Sequence, residues 1–93
     1  MVAGLCSIDL HFPDNRSLKE KRQILRGMKE RVRQRFNVSI AEVDGQDLWQ
    51  RVTLGVSCVS TDRRQVNRTL DQVVQYLERF PQVEVLDYRI EML

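Results

Sequence analysis

Residues 36–60 read FNVSIAEVDGQDLWQRVTLGVSCVS, and the place of this stretch in the chain decides the fold. Phe36 to Val43 is short and β-branched, Asp44-Gly45 supplies a turn, and Leu48 to Ser60 makes a longer strand. The stretch is therefore a hairpin, and each side of it carries a helix and a strand. Upstream, Val2 to Phe12 alternates, with Val2, Cys6, Ile8, Leu10 and Phe12 on one face. Ala3, Leu5, Ser7, Asp9 and His11 take the other, a period of two that predicts a strand covered on one side. Pro13-Asp14-Asn15 ends that strand, because proline lacks the ladder donor and Asp-Asn favours a turn. Ser17-Leu18-Lys19-Glu20 then reads as a capping box opening a helix to about Gln34.

Downstream, Asp62 with Gln65 predicts a second capping box. Val66, Leu70, Val73, Leu77 and Phe80 recur at helical spacing, and Pro81 stops that helix. Val83 to Met92 alternates as a fourth strand. The order is β-α-β-β-α-β, an α+β chain of the ferredoxin-like split βαβ type. It predicts a four-stranded antiparallel sheet with two helices on one face, as a single domain over residues 1–93.

Charge is distributed unevenly along this frame. The chain carries 15 Lys and Arg against 13 Asp and Glu, a net charge of +2. Residues 16–35 hold nine of the basic residues and two of the acidic ones, a local charge of +7, so the remainder stands at −5. On a helical wheel Leu18, Ile24, Leu25, Met28 and Val32 form the core stripe. Lys19, Arg22, Arg26, Lys29 and Arg33 gather beyond its edge, within about 80° of one another. Only Glu30 lies near enough on the wheel to pair with them. An exposed face that merely keeps a helix soluble interleaves its signs. These five residues are therefore the candidate nucleic-acid-binding set, meeting phosphates without reading sequence. The competing reading is an ordinary solvated face, since Arg31, Arg33 and Arg35 sit where a helix dipole favours cations and arginine stems cover apolar surface. Arg63, Arg64 and Arg68 near the start of the second helix make a weaker candidate, diluted by Asp62, Asp71 and Glu78.

No catalytic constellation is recognisable. Ser7, Asp9 and His11 share a strand face, but successive members lie about 6.7 Å apart along it and do not converge. No cofactor or metal site is implied, because no second soft ligand joins His11. Cys6 and Cys58 lack CxxC spacing and sit in apolar runs, which predicts buried free thiols. Trp49, beside the turn, is expected to cap the core, with an exposed anchor for a partner as the alternative. The open sheet face lacks the stacking aromatics of RRM-type plaits. It offers Leu5, Ser7, Asp9 and His11 beside Thr53, Gly55, Ser57 and Val59, which suits either open solvent or sheet-to-sheet dimerisation. No membrane-spanning run is present. The N-terminus lacks a basic n-region and meets Asp9 early, so a cytoplasmic location is expected.

Arg16-Ser17-Leu18-Lys19-Glu20-Lys21-Arg22 and Phe36-Asn37-Val38-Ser39 resemble the YlxP-like family of small bacterial proteins, and the likeness extends over most of the chain. The resemblance implies a ferredoxin-like fold. Genes of that family often stand beside translation and ribosome-maturation genes, which implies a role near RNA or the ribosome. It implies no catalytic residues. The functional expectation is a non-enzymatic RNA- or ribosome-associated binding protein. The alternative is a self-associating module, a homodimer through the open sheet face that binds a small ligand or protein.

Overall fold

Gly45 is the pivot of the central hairpin. Its φ of 76° is the left-handed conformation that glycine alone enters freely. A Cβ there would also stand 3.2 Å from the Arg51 carbonyl oxygen. Asp44 helps close the turn, its Oδ1 accepting the Gly45 N–H at 2.8 Å. In the computed structural model, which describes all 93 residues, the hairpin lies between two βα halves. The elements are β1 Val2–His11, α1 Leu18–Arg35, β2 Ser39–Asp44, β3 Arg51–Ser60, α2 Arg63–Leu77 and β4 Glu84–Met92. The sheet runs β2-β3-β1-β4 with every neighbouring pair antiparallel. This is the ferredoxin-like plait that the element order predicted.

Register places the apolar positions of β1 and β3 opposite one another: Cys6 on Val56, Ile8 on Leu54, Leu10 on Val52. Onto that surface α1 lays Leu25, Met28 and Val32, and α2 lays Val66, Leu70, Val73, Val74 and Leu77. Cys6 and Cys58 are buried free thiols within this core. Phe36, Tyr76 and Phe80 meet edge to face, with ring centroids 5.7 and 5.4 Å apart, and bridge the ends of the two helices. β4 is an edge strand whose exposed Glu84, Asp87, Arg89 and Glu91 discourage pairing with a foreign strand. Neither helix is long and apolar enough to cross a membrane.

The element ends differ from the sequence expectation for local reasons. β2 begins at Ser39 rather than Phe36, because the Phe36 N–H still donates to Val32 O at 2.8 Å and caps α1. β3 begins at Arg51 because the preceding residues belong to the turn, where the Leu48 N–H donates to Gly45 O at 3.1 Å. α2 stops at Leu77, and the following N–H groups of Arg79 and Phe80 reach back only three residues. Ser17 caps α1 as expected, accepting the Glu20 N–H at 3.1 Å. The second capping box does not form. Asp62 accepts from the Arg64 N–H at 2.9 Å, and the Gln65 side chain turns to the Thr69 hydroxyl at 3.3 Å.

Candidate nucleic-acid interface

The start of α1 is clamped to the β2–β3 turn by two buried polar side chains. Lys21 is fully buried, with Nζ donating to Gly45 O at 2.7 Å and to Leu48 O at 2.5 Å. Asn15 is also buried, its Nδ2 donating to Trp49 O at 2.5 Å and to Ser17 O at 2.9 Å. Gln50 returns a bond from Nε2 to Asn15 O at 3.1 Å. Burial holds the Lys21 ammonium below the usual lysine pKa; Glu42 and Asp47 oppose that shift and Arg22 adds to it.

This clamp also decides Trp49. The carbonyls of residues 48 and 49 point inward to Lys21 and Asn15, while both side chains turn to solvent, Leu48 54% and Trp49 57% exposed. The expectation that Trp49 caps the core is therefore corrected. Phe12, whose N–H donates to Gln50 O at 2.9 Å, and Lys21 are both fully buried instead.

From that rigid start the predicted strip runs down α1, and the fold divides it. Lys19, Arg22 and Arg26 are exposed, and none makes an ion pair or a side-chain hydrogen bond. Lys29 instead pairs with Glu42 of β2, Nζ to Oε2 at 3.1 Å. Arg33 donates from a terminal guanidinium nitrogen to Ile40 O at 2.9 Å. The partner acid thus comes from β2 rather than from Glu30 on the helix. The only other close contact between a basic and an acidic side chain is His11 Nδ1 with Glu84 Oε1 at 3.6 Å. Most charged side chains of this molecule have no ion-pair partner within the chain.

The other cations of α1 face the opposite way. The Arg31 guanidinium lies 5.6 Å from the Phe80 ring centroid, and that of Arg35 lies 5.0 Å from the Tyr76 centroid. Arg63, Arg64 and Arg68 line a shallow depression at the start of α2 together with Asp71. The strand triplet is split among other partners, as its spacing implied. Asp9 Oδ1 accepts from the Thr53 hydroxyl at 2.7 Å, and His11 turns to Glu84. No three acidic, histidine or cysteine side chains gather to hold a metal ion. Burial, with Asp71 nearby, pushes the Cys6 thiol up to about 11, so it stays protonated and unreactive at neutral pH.

A family model described as "Protein of unknown function (DUF503)" matches residues 3–90. The chain belongs to the DUF503 family. The uncharacterized protein YlxP of Bacillus subtilis (strain 168) is 44% identical to it over 83 residues, which is 89% of this chain and 90% of that protein. Among solved structures, the de novo designed protein Ferredog-Diesel resembles this DUF503 domain with a TM-score of 0.51 and 17% identity. The match covers 96% of this chain and 83% of the design. That likeness concerns the fold alone.

Two features of this DUF503 domain escape a reading of its sequence. Lys21 falls between Leu25 and Met28 on the wheel, inside the apolar stripe, and that position was the signal of its burial. Glu42 gave no such signal, because its pairing with Lys29 depends on how α1 lies across β2.

Proposed function

We propose that this protein is a non-enzymatic, RNA- or ribosome-associated binding protein of the cytoplasm, with α1 as its phosphate-facing element. Lys19, Arg22 and Arg26 make the contacts, and Lys29 and Arg33 flank them while also serving the fold. The observation that carries the reading is the set of three exposed cations at i, i+3 and i+7, none of them held in an ion pair. Each close like-charge pair costs about 0.2–0.5 kcal/mol, and a polyanion removes that cost on binding. The test is a titration of labelled structured RNA, with duplex DNA as control, at two salt concentrations. Three phosphate contacts predict a log–log salt slope of about −2 to −3. Absence of binding at low salt would make the strip a solvated face.

The open sheet face supports a second reading, self-association. Leu5, Val43 and Val59 are exposed there at 40%, 56% and 58%. A shallow trough of about 790 Å³ runs among Leu5, Ser7, Val43, Gly55 and Ser57. Its small central residues would let a second sheet approach closely. A lysine introduced at Ser57 would bury charge in that interface and raise the dimer dissociation constant at least about tenfold. Light scattering across a dilution series reads the effect; a monomer at every concentration rules this reading out.

A further inference from the structure

A cleft opens where the end of α1, the end of β3 and the flank of α2 meet, and it has the chemistry of an anion site. Its volume is about 610 Å³, within the usual size of small-molecule sites. Arg35 enters it from the end of α1, and Arg79 from just beyond α2. None of the chain's 13 Asp and Glu side chains lines it, although α2 carries Asp71 and ends at Glu78. Neither arginine has a carboxylate partner anywhere in the molecule. Arg35 is held in place by Tyr76, whose ring is fixed edge-on between Phe36 and Phe80. Such a stack orients a guanidinium while leaving its N–H groups free to donate.

The rest of the lining is neutral and bifunctional. Asn37, Gln65 and Gln72 bring side-chain amides, and Ser60 and Thr69 bring hydroxyls. The Gln65 amide nitrogen donates to the Thr69 hydroxyl at 3.3 Å within the cleft, and Gln75 also borders it with its amide nitrogen engaged by Asp71 at 3.1 Å. Two guanidinium groups balance a dianion, and arginine forks match phosphate oxygens in pairs. Amides and hydroxyls that both donate and accept suit hydroxyl groups and base edges. We infer that the cleft lined by Arg35, Arg79, Gln65, Gln72 and Asn37 binds a phosphate monoester, such as a nucleotide or sugar phosphate. The site is separate from the α1 strip, and its test does not depend on RNA binding there.

Calorimetry of the full chain with adenosine 5′-monophosphate, ribose 5-phosphate, inorganic phosphate and adenosine examines this directly. The two esters are expected to bind saturably, inorganic phosphate more weakly, and adenosine without measurable heat. Arg35→Gln and Arg79→Gln should each weaken ester binding about tenfold, as loss of a charged hydrogen-bond donor does. A protein carrying Lys19→Glu, Arg22→Glu and Arg26→Glu should bind the esters as before. Arg79 is exposed, so its variant carries the test should Arg35→Gln disturb the aromatic stack. The proposal is overturned if neither ester binds, if adenosine or inorganic phosphate binds as tightly as the esters, or if the loss follows the Lys19, Arg22 and Arg26 substitutions instead. A short single-stranded RNA with and without a 5′-phosphate then distinguishes a chain end from a free nucleotide as the source of the ester.

Discussion

Lys21→Met is expected to destabilise the domain by about 2–4 kcal/mol. Methionine keeps the approximate length and apolar stem of lysine, so the buried space that Lys21 fills stays filled. What disappears is the pair of bonds to Gly45 O and Leu48 O, which leaves two inward-facing carbonyls without their donor. Relief from burying a charge returns part of that loss and keeps the figure below the sum of two orphaned acceptors. For a domain of this size the thermal midpoint should fall by at least about 10 °C. Urea unfolding measures the same difference at constant temperature. A variant as stable as the parent would show that the Lys21 clamp contributes nothing to the turn.

The sign of the pH dependence follows from the direction of the Lys21 shift. Its pKa is lower folded than unfolded, so between the two values the unfolded chain binds more protons. The charged-lysine penalty is full below the folded pKa and fades as pH rises toward the ordinary lysine value near 10.4. The stability advantage of the parent over Lys21→Met therefore widens with rising pH in that window. Arg22 adds to the depression, so Arg22→Glu should move the Lys21 pKa back upward.

Reversing Lys19, Arg22 and Arg26 together to glutamate should lower RNA affinity by about two orders of magnitude at low salt. The same variant should flatten the salt slope toward zero, because the slope counts phosphate contacts. Stability should scarcely move, since all three side chains are exposed and surface changes usually fall within about 0.5 kcal/mol. Arg33 is left out of this variant because its bond to Ile40 O ties α1 to β2. Lys29 is left out because of Glu42. RNA binding that survives the triple reversal with its salt slope intact would remove α1 from the interface.

The sequence made the plait legible because alternation in β1 and β3 and the 3.6-residue period of both helices leave one way to bury the apolar faces. Element ends were less legible where backbone bonding, not side-chain pattern, sets them. Phe36 looks like strand by composition and serves as a helix cap, and Phe80 continues the helical period beyond the last helical turn. The strip was legible as a charge pattern, but its division was not. A helical wheel knows nothing of Glu42 or the Ile40 carbonyl, which approach α1 from β2. Trp49 was misjudged because a large apolar residue beside a turn usually packs inward, whereas two buried donors here claim the carbonyls and leave the side chains outside. The Arg35–Arg79 cleft joins residues from α1, β3 and α2 that no local pattern connects.

The charge of +7 concentrated in residues 16–35 changes what an isoelectric point of about 8.8 means for this molecule. The protein measures 42 × 21 × 16 Å, so even its shortest dimension spans about two screening lengths at physiological salt. A partner arriving at one side feels the charge of that side and little of the opposite one. The overall balance of +2 then averages over distances the surrounding electrolyte has already cut off. A polyanion would meet a different protein depending on the direction of approach, and the field would turn the molecule helix-first before any contact formed.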